Sequence, residues 1–143
     1  MVCAGIFVWS KFMRAGLSVL LLLCASSAYA ETLSGKAIEP LLNDNTVYGL
    51  PLAPDSWRQS FAKDGETIYM DASGAKTFGQ WLVRGDKYCS LWPPSDRWAC
   101  YEMENGTDAA GKPIVTWISG GDGKRYEALL TRGLHVDVAV PVK

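Results

Sequence analysis

The chain is poor in the raw material of catalysis. It holds one histidine, His135, in 143 residues. No Gly-x-Ser-x-Gly elbow and no His-Glu-x-x-His pair occurs. A hydrolase would need a dispersed Ser–His–Asp set built around a histidine near the C-terminus. Beyond residue 30 the chain lacks a long apolar run, and only two cysteines remain there. Two cysteines and one histidine do not make a zinc site. No basic or acidic block occurs, so the basic face that a nucleic-acid partner needs is missing. The residues imply no cofactor.

The one long apolar stretch lies at the start. Lys11 and Arg14 precede Leu17 to Cys24, and Ala28-Tyr29-Ala30 follows. Positive residues, an apolar run and small side chains at −3 and −1 are the order of a secretory signal peptide. Ala28 and Ala30 fit the peptidase pocket, which puts cleavage after Ala30 and makes residues 1–30 the leader. Translation from Met13 would change nothing downstream. A retained transmembrane anchor needs about 20 apolar residues, and this run is much shorter. Leu21-Leu22-Leu23-Cys24 looks like a lipobox, but Leu23 is bulky where a small residue belongs. Membrane tethering is therefore expected only if Cys24 is lipidated, and the expected location is periplasmic or secreted.

Cleavage leaves residues 31–143, the length of one domain. With 12 Lys/Arg against 15 Asp/Glu, this part carries a formal charge of −3. Cys3 and Cys24 leave with the leader. Cys89 and Cys100 remain as an even pair in an oxidising compartment and are expected to be bonded to each other. Redox-active pairs usually sit close together at a helix start, whereas ten residues, including Pro93 and Pro94, separate these two.

Leu33 to Asn43 reads as a short helix. Ser34 is a candidate cap, Ala37, Ile38, Leu41 and Leu42 share a face, and Pro40 interrupts the ladder. From Thr46 onward, short runs rich in Val, Thr, Tyr, Trp and Phe alternate with Gly- and Asp-bearing turns. The runs are Thr46–Leu52, Trp57–Ala62, Thr67–Asp71, Phe78–Val83, Tyr88–Trp92, Trp98–Met103, Ile114–Ile118 and Arg125–Thr131. Asn105-Gly106 reads as one of the turns. The fold class is mainly β (α+β): a short N-terminal helix and an antiparallel meander of about eight strands, as a small barrel or a curved sheet. The segment 134–143 reads as an extra strand or a tail.

Small motifs reduce to turns. Gly120-Gly121-Asp122-Gly123-Lys124-Arg125 could nest an anion, but it joins two strands where a phosphate loop should lead into a helix. Asn43-Asp44-Asn45 and Asp122 lack the spacing of an EF-hand. Asn105-Gly106-Thr107 matches a glycosylation acceptor in a eukaryotic source.

The aromatic load is the strongest lead. Residues 31–143 hold five tryptophans and five tyrosines. Such side chains serve small β cores and ligand sites alike. Trp57, Trp81 and Trp117 read as core. Trp92 and Trp98 flank the Pro93-Pro94 turn and are binding candidates, with Tyr88 and Tyr101 beside them.

Thr46-Val47-Tyr48-Gly49, Asp64-Gly65, Gly79-Gln80-Trp81-Leu82-Val83 with Gly85-Asp86, Cys89-Ser90-Leu91-Trp92, Cys100-Tyr101 and Val115-Thr116-Trp117, together with Leu33-Ser34-Gly35, resemble the DUF995 group of small exported bacterial proteins. The resemblance implies a bacterial, periplasmic, β-rich domain and supplies neither catalytic residues nor a substrate. The functional expectation is a non-enzymatic binding module for a small apolar ligand or an envelope protein partner. A lysozyme-inhibitor-like role would be one instance, although none of its motifs is evident. A structural or stress-related envelope protein is the alternative, and a dispersed-site hydrolase the third. Intact mass spectrometry of the exported protein is expected to find a chain that starts at Glu31 and is lighter by two hydrogens, the mark of one disulfide. A diacylglycerol adduct on Cys24 would overturn the cleavage site.

Overall fold

The computed structural model of the chain describes residues 30–135. Cys24, Ala28 and the rest of the leader up to Tyr29 lie outside the described residues, as does most of the segment 134–143. A two-residue strand, β1 (Glu31–Thr32), precedes helix α1 (Gly35–Leu42). Eight strands follow: β2 (Asn45–Gly49), β3 (Arg58–Phe61), β4 (Glu66–Met70), β5 (Lys76–Arg84), β6 (Lys87–Leu91), β7 (Ala99–Thr107), β8 (Pro113–Ser119) and β9 (Arg125–Arg132).

Each of the eight pairs antiparallel with the next, and β9 returns to pair with β2. The meander therefore closes into an eight-stranded up-and-down barrel, and closure removes the exposed edges that an open sheet would leave. β1 adds to the outgoing half of β7, Glu31 opposite Asn105 and Thr32 opposite Glu104. This strand carries no alternation long enough to read from sequence.

A strand turns successive side chains to opposite faces, so residues opposed across a ladder share a face. The register puts Val47, Gln59, Tyr69 and Thr77 in one inward row. Tyr88 and Tyr101 form another, and Met103, Trp117 and Tyr126 a third. On β5, Gly79, Trp81 and Val83 turn inward while Phe78, Gln80 and Leu82 turn outward, as the alternation predicts. Phe78 is 64% exposed.

One end of the barrel is plugged by α1. Ile38 and Leu42, one turn apart, are fully buried in the core with Val47, Phe61 and Met103, and Ala37 and Leu41 flank them. The expected apolar stripe is thus the buried one, and Pro40 falls on the exposed side. The cap differs from expectation. Ser34 makes no side-chain capping bond, and the Gly35 amide donates instead to Asp86 Oδ1 at 2.8 Å. Asp86 belongs to the β5–β6 turn, so the cap is tertiary and ties the plug to the barrel.

The expected turn at Asn105-Gly106 is also corrected. β7 runs on to Thr107, because Asn105 and Gly106 are held by Val115 and Ile114 of β8, with Glu31 on the other edge. The chain reverses at Asp108–Lys112, where the Asp108 carboxylate accepts from the amides of Ala110 and Lys112.

Cys89 and Cys100 are directly opposed on β6 and β7, with Cα atoms 4.0 Å apart, and form the disulfide. Such a loop contributes roughly 2–3 kcal/mol on the chain-entropy account. Among the described residues, no helix is long and apolar enough to cross a membrane. In urea denaturation, Asp86→Ala is expected to cost about 1 kcal/mol and Ser34→Ala nothing measurable. Equal losses would return the cap to Ser34.

Candidate functional site

Four rings cross the middle of the barrel. Phe61 meets Trp81 edge-on at 5.7 Å and Tyr88 edge-on at 5.9 Å, and it stacks on Trp117 at 6.2 Å. Tyr88 also stacks on Trp81 and meets Trp117 edge-on. Edge-to-face and offset pairs at these distances are attractive beyond their buried area. The rings form a floor between the plugged end and the open end.

Above the floor the barrel is not filled. An open cup of about 530 Å³ lies there, and seven of its ten lining residues are aromatic. Tyr88 and Trp117 belong to the floor. Trp57, Tyr69 and Trp92 make one wall: Trp57 stacks on Tyr69 at 5.8 Å, and Tyr69 meets Trp92 edge-on at 6.2 Å. Tyr101 and Tyr126 make another, edge-on at 6.4 Å. Gln59, Thr77 and Ser90 are the remaining lining residues.

Two glycines seat the indoles of the first wall. A Cβ on Gly49 would lie 2.1 Å from Trp57 Nε1, and one on Gly79 would lie 2.5 Å from the Trp92 ring. Each ring therefore lies flat against the bare backbone of a neighbouring strand. Only glycine permits that approach, and a methyl group at either place would push the ring into the cup.

Four of the lining residues, Gln59, Tyr88, Ser90 and Trp92, have their polar groups engaged in hydrogen bonds. The Gln59 amide donates to Thr67 Oγ1 at 2.9 Å and to the Tyr88 hydroxyl at 3.0 Å. Thr67 Oγ1 donates to the Ser60 carbonyl, and Trp92 Nε1 donates to Ser90 Oγ at 3.1 Å. Burial pushes the Tyr88 phenol up to about 12, against smaller opposing effects of its Ser90 and Gln59 hydrogen bonds. Burial also raises Tyr69, helped by Asp71, and Tyr101, helped by Tyr126 and Asp122. These phenols are neutral at physiological pH. No lining residue is a carboxylate, a cation, a histidine or a cysteine. The hydroxyls of Thr77 and Ser90 thus have no general base among the lining residues.

Of the sequence-derived binding candidates, Tyr88, Trp92 and Tyr101 are brought together in the cup. Trp98 is not among the lining residues; it lies near Arg84, whose guanidinium carbon is 6.0 Å from its ring centre. Trp57 reads as core from sequence, and the structure puts it half-buried in the cup wall. Tyr69, Tyr126 and Gln59 carried no sequence signal beyond their alternation. His135 lies away from the cup. Its backbone amide donates to Thr46 Oγ1, and its Nε2 sits 2.5 Å from the Arg132 carbonyl oxygen. Among the described residues no group of three or more His, Cys, Asp or Glu could hold a metal.

Comparison with family models, curated proteins and solved structures gave no match.

A phenol whose folded value is raised favours the fold below its unfolded value, near 10, and that contribution is lost as the pH climbs through about 12. Between those limits Tyr88 is expected to account for a loss of roughly 2–3 kcal/mol. Stability measured against pH in guanidinium should fall less steeply over this alkaline range in Tyr88→Phe. An unchanged slope would show that Tyr88 ionises freely.

Proposed function

We propose that this protein is an exported, non-enzymatic binding module whose ligand is a small, largely apolar molecule held in the aromatic cup. The observation that carries the reading is the unfilled half of the barrel. An eight-stranded barrel is just wide enough for its own side chains to fill, yet here a volume in the range of small-molecule sites stays open. Its walls are rings set in place by glycine seats and neighbour rings, so little ordering cost remains for the ligand to offset. Uncharged lining favours an apolar occupant. The leader and the disulfide support an exported protein that works in an oxidising compartment. A purely structural envelope role gives no reason to keep such a space open.

The neutral fluorophore N-phenyl-1-naphthylamine, which brightens in apolar surroundings, tests this reading. It is expected to bind the wild-type protein saturably. Trp57→Ala and Gly79→Ala should each weaken binding by about tenfold, the scale of an aromatic anchor. Trp98→Ala, outside the cup, should leave it unchanged. No saturable binding, or equal loss in Trp98→Ala, would refute the cup as the site.

A further inference from the structure

One group in the cup floor lacks a partner. The Trp117 side chain is 94% buried, and its Nε1 is the buried side-chain polar atom among the described residues that makes no hydrogen bond. The other buried indole, Trp81, donates to the Ala62 carbonyl at 2.9 Å, and Trp92 in the wall donates to Ser90. Buried donors without acceptors are uncommon in native proteins and call for an explanation.

The surroundings of Trp117 supply one. It is directly opposed to Tyr126 across the β8–β9 ladder. Tyr126 is 39% exposed and is the one exposed ring among the seven in the lining. Its ring meets Tyr101 edge-on and lies 5.1 Å from the Lys124 ammonium, and its exposure makes it the least enclosed ring of the lining. We propose that the cup takes a neutral, flat, ring-bearing molecule carrying a hydrogen-bond acceptor, and that the Trp117 indole N–H is the donor that reads this acceptor once the ligand displaces Tyr126.

This deepens, and rests on, the reading of the cup as a ligand site. Flatness follows from the wall, where the rings of Trp57 and Tyr69 lie within 28° of parallel and offer a face for stacking. Neutrality follows from a lining without ionised groups, since a buried charge would find no counter-charge among the lining residues. An acceptor on an otherwise apolar ring system meets the one fully buried donor left without a partner among the described residues.

The test uses two rings of matched shape, coumarin with its carbonyl acceptor and naphthalene without one, competing against N-phenyl-1-naphthylamine. Coumarin is expected to displace the probe about fivefold to tenfold better than naphthalene, the scale of one hydrogen bond. Trp117→Phe, which keeps a ring in the floor, should abolish that preference. In the unaltered protein, the Trp117 indole N–H resonance should move downfield with coumarin and not with naphthalene. This measurement decides the question even where Trp117→Phe folds poorly. Equal displacement by both rings, a preference that survives Trp117→Phe, or an unmoved indole resonance would each overturn the assignment while leaving the cup as a binding site. Stronger displacement by phenyltrimethylammonium than by coumarin would overturn it in favour of a cation cage. Failure of the fluorophore itself to bind would remove the cup reading, and this inference with it.

Discussion

The ring cluster of Phe61, Trp81, Tyr88 and Trp117 is the contact on which the rest of the molecule depends. Its members come from β3, β5, β6 and β8, so it braces the barrel from four sides. On one side it completes a core with Ile38, Leu42 and Val47. On the other it is the floor of the cup. The same rings thus supply the buried apolar area that holds the fold and the surface on which a ligand would rest. The filled core and the open cup are divided along the barrel axis rather than mixed through it.

Tyr88 shows what this arrangement demands. A phenol at the centre of a barrel must have its hydroxyl satisfied, because a buried unpaired polar group costs more than a hydrogen bond returns. Gln59 meets that need, and Thr67 and the Ser60 carbonyl in turn fix Gln59. Inward polar residues such as Gln59 and Thr67 would count as errors in an all-apolar core. Here they form a connected network that orients the floor, and a fully satisfied network rigidifies its surroundings.

Much of this was legible in the sequence. Period-two alternation and turn chemistry located eight strands to within a few residues, and the even cysteine pair in facing strands located the disulfide. Alternation also sorts the residues of β5 between two faces. It could not say at which end of a closed barrel an inward residue lies, and so Trp57 reads as core while Tyr69 and Tyr126 pass unmarked. Barrel closure through β2 and β9 joins residues about eighty positions apart and leaves no local trace. The Asp86 cap, 51 residues from Gly35, is invisible for the same reason. Asn105-Gly106 has turn chemistry, but two neighbouring strands hold it extended.

The position of the disulfide follows from the same division of labour. β6 meets β7 only where Tyr88–Ser90 faces Ala99–Tyr101, since the rest of that edge of β7 turns to β1. This short seam borders the cup, with Tyr88, Ser90 and Tyr101 on its inner side. A barrel left half empty lacks the apolar filling that would otherwise hold such a seam shut. The Cys89–Cys100 bond on the outer face supplies that closure covalently and takes no space inside. The inward positions of β6 and β7 are then free to carry the rings and hydroxyl groups of the cup.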